Sequence, residues 1–171
     1  ILFSVGLAIF LAATAANATD VSGTITTQTW TAAGSPYHIT ADIAVPEGET
    51  LTIEPGVDVL LDNDIRFVIY GTLDTRGTAN DSVRFMRANP EQGWGGIRAL
   101  GADGVHLEYV RISGVTNHSP PDTVQGGLLL RRVKTPVLLY HCTVTRNSAM
   151  AEGFWPRRAA ARGGGVAIYE S

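Results

Sequence analysis

An internal repeat of short apolar segments constrains the fold of this 171-residue chain more than any other feature. A segment that opens with two glycines, residues 95–100, recurs at residues 126–130, a shift of 31 residues, and again at residues 164–168, a further shift of 38. The apolar positions of residues 105–112 recur 32 positions later, in residues 137–144. Each unit is therefore predicted to contain a Gly-Gly strand, a short turn, a second apolar strand and a variable loop.

The segments between the turns have the composition of β-strands. From Val21 onward, runs rich in Val, Ile, Leu, Thr and Tyr alternate with turns of the Pro-Glu-Gly and Glu-Pro-Gly type, and helical periodicity is almost absent. A hairpin meander needs a tight two-residue turn at each reversal, and Asn-Gly or Asp-Gly pairs do not recur between these runs. The variable loops, residues 113–125 and 148–163, account for the drift in the period. The pattern favours an all-β parallel solenoid, in which each strand returns above its predecessor and coils stack to bury their inward faces.

The predicted organisation follows from the repeat length. Residues 19–44 are expected to form an amino-terminal cap and first strand, and residues 45–171 the coils of the solenoid. With roughly 22–32 residues per coil and strands about 4.8 Å apart, the chain makes about five or six coils, a rod of roughly 25–30 Å.

Composition excludes several classes of protein. At 44% hydrophobic and 17% charged residues the chain is not disordered, and a net charge of −3 argues against nucleic acid as a partner. The single cysteine, Cys142, excludes a disulfide framework and a multi-cysteine zinc site, and its place in the repeat predicts an inward packing residue.

The first segment is typical of an export signal. Residues 1–13 carry no charge, and small residues precede a predicted cleavage between Ala18 and Thr19. Residues 1–18 are therefore predicted to be a signal peptide whose start is missing, and the stretch is too short for a membrane-spanning helix. No later run reaches transmembrane length, so the mature chain is expected to be extracellular, at the cell surface or periplasmic.

Several motifs together resemble the exported right-handed parallel β-helix proteins, the pectate-lyase-like β-solenoids. The resemblance is carried by residues 30–31 and 35–39, by residues 45–57, 68–73 and 94–97, and by residues 142–149 ahead of the Gly-Gly-Gly-Val of residues 163–166. It implies a right-handed parallel β-helix over the whole mature chain. Family members typically continue for many more coils, so the chain is expected to be an amino-terminal fragment of a bacterial protein.

The resemblance specifies a fold but no activity, since members include lyases, hydrolases, epimerases, tailspikes and surface proteins. Pectate lyases of this family bind calcium through carboxylates on stacked strands. Here the densest acidic group is Asp58, Asp62 and Asp64 with Asn63, and residues 62–64, between two predicted strands, are interpreted instead as turn chemistry. Glu47, Glu49 and Glu54 flank turns in the same way, and no catalytic residue, metal site or cofactor is predicted.

One loop combines aromatic and basic residues in a way that suits an acidic glycan. The candidate ligand-binding residues are Trp155, Arg157, Arg158 and Arg162, although a loop folded back on the solenoid wall is the alternative. Trp30 and Trp94 are interpreted as packing residues, at the amino-terminal end and at a strand start respectively.

Two functions of different class follow. The first is binding or display, of a polysaccharide or a cell surface, by a secreted or surface-exposed protein. The second is a polysaccharide lyase, epimerase or glycosidase whose catalytic coils lie beyond residue 171.

Overall fold

The computed structural model describes residues 18–117, 126–149 and 165–169, and these ranges are nearly all β-structure. The strands are, in chain order, β1 (Thr19–Thr24), β2 (Gln28–Trp30), β3 (Tyr37–Val45), β4 (Thr50–Ile53), β5 (Asp58–Leu61), β6 (Phe67–Ile69), β7 (Thr72–Arg76), β8 (Val83–Arg87), β9 (Ile97–Leu100), β10 (Gly104–Glu108), β11 (Val110–Ser113), β12 (Thr116–Asn117), β13 (Leu128–Arg131), β14 (Leu138–Tyr140), β15 (Thr143–Thr145), β16 (Ser148–Ala149) and β17 (Val166–Tyr169). A 3-10 turn at Ala32–Gly34 is the one helical element within these ranges.

Parallel pairing arranges most of these strands in three columns. Column 1 consists of β2, β4, β7, β10 and β14. Columns 2 and 3 belong to one larger sheet and share the long strand β3. The first half of β3 begins column 2, which continues with β5, β8, β11 and β15. The second half of β3 begins column 3, which continues with β6, β9, β13 and β17. β1 pairs with β3, and β12 pairs with β16 in a separate two-stranded sheet. From β4 onward the chain visits columns 1, 2 and 3 in that order and then repeats, which is compatible with an all-β solenoid.

The register of the columns confirms the repeat predicted from the sequence. Ile97 is paired with Leu128 and Leu128 with Val166, which are the predicted shifts of 31 and 38 residues. Leu107 is paired with Leu139, at the predicted shift of 32. The repeated glycines and apolar residues therefore mark positions that lie directly above one another.

The Asp-Gly pair at residues 103–104 does not make a hairpin. It lies between β9 and β10, which belong to different columns and pair with strands from other turns of the chain. The described pairs of the columns are all parallel, so the exclusion of a meander is confirmed.

Alternate side chains from all three columns meet in one hydrophobic core. In column 3, for example, Ile43, Phe67, Ile97 and Leu128 occupy equivalent positions, and each is at most 1% exposed. A parallel column repeats its inward positions in register, so the apolar residues of successive strands stack on one another. Cys142 packs against this core as predicted, and burial raises the pKa of its thiol.

The structure corrects one prediction about the repeat unit. The apolar runs 107–112 and 137–144 were each expected to form one strand, but Tyr109 and His141 divide them between columns 1 and 2. Both residues lie in the left-handed region, with φ of 48° and 51°. A single left-handed residue turns the extended chain sharply, so it forms the corner between the two columns.

The final described strands leave apolar positions uncovered. Val166 and Ile168 continue the inward rows of column 3, yet they are 43% and 63% exposed. Leu138 and Tyr140 of β14 are each 48% exposed. In the described residues, β14, β15 and β17 pair on one side only.

Candidate functional site

The four predicted ligand-binding residues cannot be placed. They lie outside the residues that the structure describes: Trp155, Arg157, Arg158 and Arg162. The predicted cleavage site falls at the start of the described structure, where Thr19 is the first residue of β1 and Ala18 precedes it. Cleavage itself stays a prediction.

The two described tryptophans are core residues, as the sequence predicted. Trp30 is 2% exposed and stacks on Tyr37, with ring centroids 4.6 Å apart. Trp94 is fully buried, and its indole N–H donates a hydrogen bond of 2.9 Å to the Ser113 carbonyl. Neither indole is available to stack on an external ligand.

The acidic group does not converge on a common point. Asp58 forms an ion pair with Arg84, Asp62 accepts a hydrogen bond from His38, and Asp64 sits in a turn with φ of 58°. In the described part of the chain, no group of three or more His, Cys, Asp or Glu side chains is placed to hold a metal ion. The calcium chemistry of the resembled family therefore has no support among these residues.

Glutamates near the first turns contact residues from other turns of the chain. Lys134 forms ion pairs with Glu47 and with Asp103, the latter at 2.9 Å, although these residues come from three separate turns. The Glu49 carboxylate accepts hydrogen bonds from the backbone and side chain of Thr27, which lower its pKa. The structural interpretation of these two glutamates is confirmed.

His38, on β3, lies between two carboxylates that come from neighbouring parts of the sheet. Its Nδ1 lies 3.2 Å from Asp20 Oδ1, on β1, and its Nε2 lies 2.9 Å from Asp62 Oδ1, just after β5. The hydrogen bond with Asp62 is the largest cause that raises the pKa of His38, Asp20 adds to it, and partial burial opposes both. The protonated imidazole can donate to both acids at once, so this group is an electrostatic clamp on β1.

We expect the His38 clamp to make stability depend on pH. Because its folded pKa lies above the ordinary value of about 6.5, its contribution is fully present below about pH 6.5 and is lost as pH rises through the folded pKa. The difference in unfolding free energy between the wild type and His38→Asn, measured by urea denaturation, should therefore shrink as pH rises above about 6.5. Asp62→Asn should flatten this dependence more than Asp20→Asn does. If the difference in unfolding free energy between the wild type and His38→Asn grew with rising pH, it would contradict the stabilising role of protonated His38.

Asp74 and His106 form a second histidine–carboxylate pair on the outer face of column 1. Asp74 Oδ2 accepts hydrogen bonds from Arg76, at 2.6 and 2.9 Å, and Asp74 Oδ1 lies 3.3 Å from His106 Nδ1. His106 Nε2, the nitrogen that would act as a base, is buried and makes no hydrogen bond. A substrate cannot reach this nitrogen in the structure, so the pair does not constitute an accessible acid–base site.

Three aromatic rings cluster at the corner between columns 1 and 2. We call Tyr109, Tyr140 and His141 the aromatic corner. Tyr109 and His141 occupy equivalent left-handed positions, and their rings stack with centroids 4.6 Å apart and planes 14° apart. Tyr140 meets His141 edge-on at 4.1 Å and is 48% exposed. The rings are fixed on a rigid part of the backbone rather than on a long loop.

A groove of about 210 Å³ runs beside the aromatic corner. Its lining residues are Thr78, Ala79, Ser82, Tyr109, Arg111, His141 and Thr143. Two aromatic side chains, hydroxyl groups and one arginine among its lining residues give the groove both apolar contact area and hydrogen-bonding capacity. A pyranose has the same combination, because its C–H face is apolar and its hydroxyl groups donate and accept hydrogen bonds.

The outer face of column 2 is positively charged, although the chain carries a net charge of −3. Strands β8, β11 and β15 contain no acidic residue, and four arginines lie on or just beyond them: Arg84, Arg87, Arg111 and Arg146. Arg84 is neutralised by Asp58, with a contact of 2.7 Å. Within the described residues the other three arginines have no ion pair, so this face attracts anions.

Sequence reasoning missed both the aromatic corner and the arginines around it. Tyr109 and His141 stand 32 positions apart, which is the shift already visible in the surrounding apolar residues. An aromatic residue repeated at that shift was the available signal. The two rings were overlooked because each run was taken as one uninterrupted strand, in which neither residue would mark a corner.

The comparisons with known proteins identify no relative. No family model matches the chain, and no curated protein or solved structure matches it. Within the described ranges, no helix has the length and apolar character needed to cross a lipid bilayer.

Proposed function

We propose that this chain is part of an exported, right-handed parallel β-helix protein that binds a polysaccharide or cell-surface glycan through the aromatic corner. The fold proposal is supported by parallel pairing throughout the three columns and by the cyclic order in which the chain visits them. Export is supported by the apolar segment at residues 1–13 and the small residues before Thr19. On this proposal the described strands form five coils stacked one above another, because each column contains five strands or half-strands.

The observation that supports glycan binding is the stacked Tyr109–His141 pair beside a groove lined with hydroxyl groups. Stacked rings on a parallel solenoid are repeated at the strand spacing of about 4.8 Å, so their exposed edges and faces form a continuous apolar strip. The groove is shallow and small, which suits a single sugar unit of a chain that extends beyond it. Within the described residues, the enzymatic alternative gains no support from a group of side chains placed to hold a metal ion.

Asparagine substitutions test the aromatic corner without disturbing its backbone. Asparagine tolerates the left-handed conformation, so Tyr109→Asn and His141→Asn should keep the corner folded while removing the rings. We expect the wild type to bind at least one member of an immobilised panel of neutral and acidic polysaccharides, and Tyr109→Asn to weaken that binding about tenfold, the scale of one aromatic contact.

Tyr70→Asn is the matched control for surface binding. Tyr70 is an exposed tyrosine, 43% accessible, that does not line the groove. Its replacement should leave affinity unchanged. Equal affinity of Tyr109→Asn and the wild type, or absence of wild-type binding across the panel, would contradict the proposal.

A further inference from the structure

A second groove lies at the other edge of column 2, where three residues form one row across successive coils. Gly114 follows β11, and its N–H donates a hydrogen bond of 3.3 Å to the Arg146 carbonyl of the next coil. Arg87 ends β8 and reaches the same row, because β8 and β11 are paired with Phe85 opposite Ile112. Gly114 therefore lies between two arginines that come from the coils on either side of it.

The glycine creates the space between those arginines. A Cβ atom on Gly114 would lie 2.8 Å from Cγ and 2.9 Å from Cδ of Arg87, and the φ of 77° is one that other residues rarely adopt. The Arg87 side chain thus lies directly across the bare backbone. The resulting groove of about 210 Å³ is completed by Arg146, Ser113, Met86 and Pro90, and we call it the arginine slot.

The charges of the arginine slot are not balanced by the protein. Some arginines on the outer faces are paired with acids, as Arg66 is with Asp42 and Arg84 with Asp58. No acidic side chain lines the slot, and in the described part of the chain neither Arg87 nor Arg146 forms an ion pair. Two guanidinium groups that share one groove repel each other unless an anion lies between them.

The number of donors indicates the kind of anion. One guanidinium already satisfies the two oxygens of a carboxylate through a bidentate fork. A second guanidinium, from the opposite coil, can donate hydrogen bonds to the same anion only when that anion has further oxygens. Tetrahedral sulfate and phosphate groups have them. We propose that the arginine slot is a binding site for a tetrahedral oxyanion, carried as a sulfate or phosphate group. This site is separate from the aromatic corner and does not depend on glycan binding there.

Titration with simple anions tests the site directly. The full chain, labelled with ¹⁵N, is titrated with sodium sulfate, sodium phosphate or sodium acetate at constant ionic strength, and the Arg Nε–H and Gly114 amide resonances are followed. We expect saturable shifts of Arg87, Arg146 and Gly114 with sulfate and phosphate, and only weak, non-saturating shifts with acetate. Acetate binding as tight as sulfate binding would overturn the assignment to a tetrahedral anion.

Variants separate the slot from general charge. Arg87→Gln should weaken sulfate binding by at least about tenfold, since it removes two charge-assisted hydrogen bonds. Arg87→Lys keeps the charge but loses the fork and should also bind more weakly. Arg131→Gln makes the same change of charge at an exposed arginine that does not line the slot, and should leave affinity unchanged. Equal losses in Arg87→Gln and Arg131→Gln would overturn the proposal in favour of non-specific screening.

Polymers then identify the source of the oxyanion. A sulfated polysaccharide and its desulfated form are compared for binding to the wild type and to Arg87→Gln. If the wild type binds the sulfated form more tightly and Arg87→Gln shows no such difference, the ligand of the slot is a sulfate ester. Tighter binding of inorganic phosphate than of sulfate, without preference for the sulfated polymer, assigns it to a phosphate group. Tyr109→Asn should leave the anion titrations unchanged, so failure of the glycan proposal and failure of this one are distinguishable.

Discussion

Replacing Gly71 with alanine should lower the free energy of unfolding by more than about 3 kcal/mol, beyond the usual range for overpacking. A Cβ atom at this position would lie 2.1 Å from the Pro46 carbonyl oxygen and 2.2 Å from the Glu49 carbonyl oxygen. Both oxygens belong to the backbone of the preceding coil, and Glu49 O also accepts a hydrogen bond of 2.8 Å from Thr72. Neither oxygen can rotate away as a side chain can, so relief of the overlap requires separation of the two coils.

Gly165→Ala is the matched control for this substitution. Among the residues that the structure describes, a Cβ atom on Gly165 would meet nothing within 4 Å, and the φ of Gly165 is not in the left-handed region. We expect a change of no more than about 0.5 kcal/mol, as for an ordinary surface substitution. Denaturant midpoints and slopes of the two variants, measured beside the wild type, provide the comparison. A Gly71→Ala midpoint equal to that of Gly165→Ala would contradict the close approach of the coils.

Gly71 also shows what the sequence can and cannot predict about the fold. A Tyr-Gly pair at residues 70–71 is what a turn between two apolar runs predicts, but the turn is not what makes glycine necessary there. Its backbone is not left-handed, and the constraint comes from the turn of another coil about 22 residues earlier in the chain. A contact between coils has no local signature, so composition around the turn could not reveal it.

The strand registers were predictable because a parallel column repeats itself. Each inward position lies above an equivalent residue, so apolar residues and glycines recur at the shift that the pairing later shows. The corners were not predictable in the same way. Tyr109 and His141 adopt left-handed conformations without being glycine or asparagine, and the surrounding apolar residues continue without interruption.

The arginine slot was harder to predict than the fold because it combines residues at unequal shifts. The arginine slot joins residues separated first by 27 and then by 32 positions, since β8 and β11 are closer in sequence than β11 and β15. A search at one fixed period does not bring Arg87 and Arg146 together. The structure does so because the length of a coil varies in its loops while its strands remain in register.

Phe67→Ala should lower the free energy of unfolding by about 3–5 kcal/mol, the usual cost of removing a buried aromatic side chain. Phe67 is fully buried, and its ring centroid lies 6.2 Å from that of Trp30 and 5.7 Å from that of Phe85. These three rings come from columns 3, 1 and 2 respectively, at three successive levels. The side chain therefore fills the centre of the hydrophobic core, where no single neighbour can move to close the cavity.

The matched variant Phe67→Leu keeps most of the side-chain volume and should cost less than about 1.5 kcal/mol. Each strand of a column pairs only with the strands next to it, so the loss should also be local. Hydrogen exchange in Phe67→Ala should show greatly reduced amide protection in β4 to β9 and a smaller reduction in β13 and β14. Equal loss of protection in all these strands would contradict a local effect and indicate that the described strands unfold as one cooperative unit. A cavity can weaken distant strands equally only when they cannot open separately.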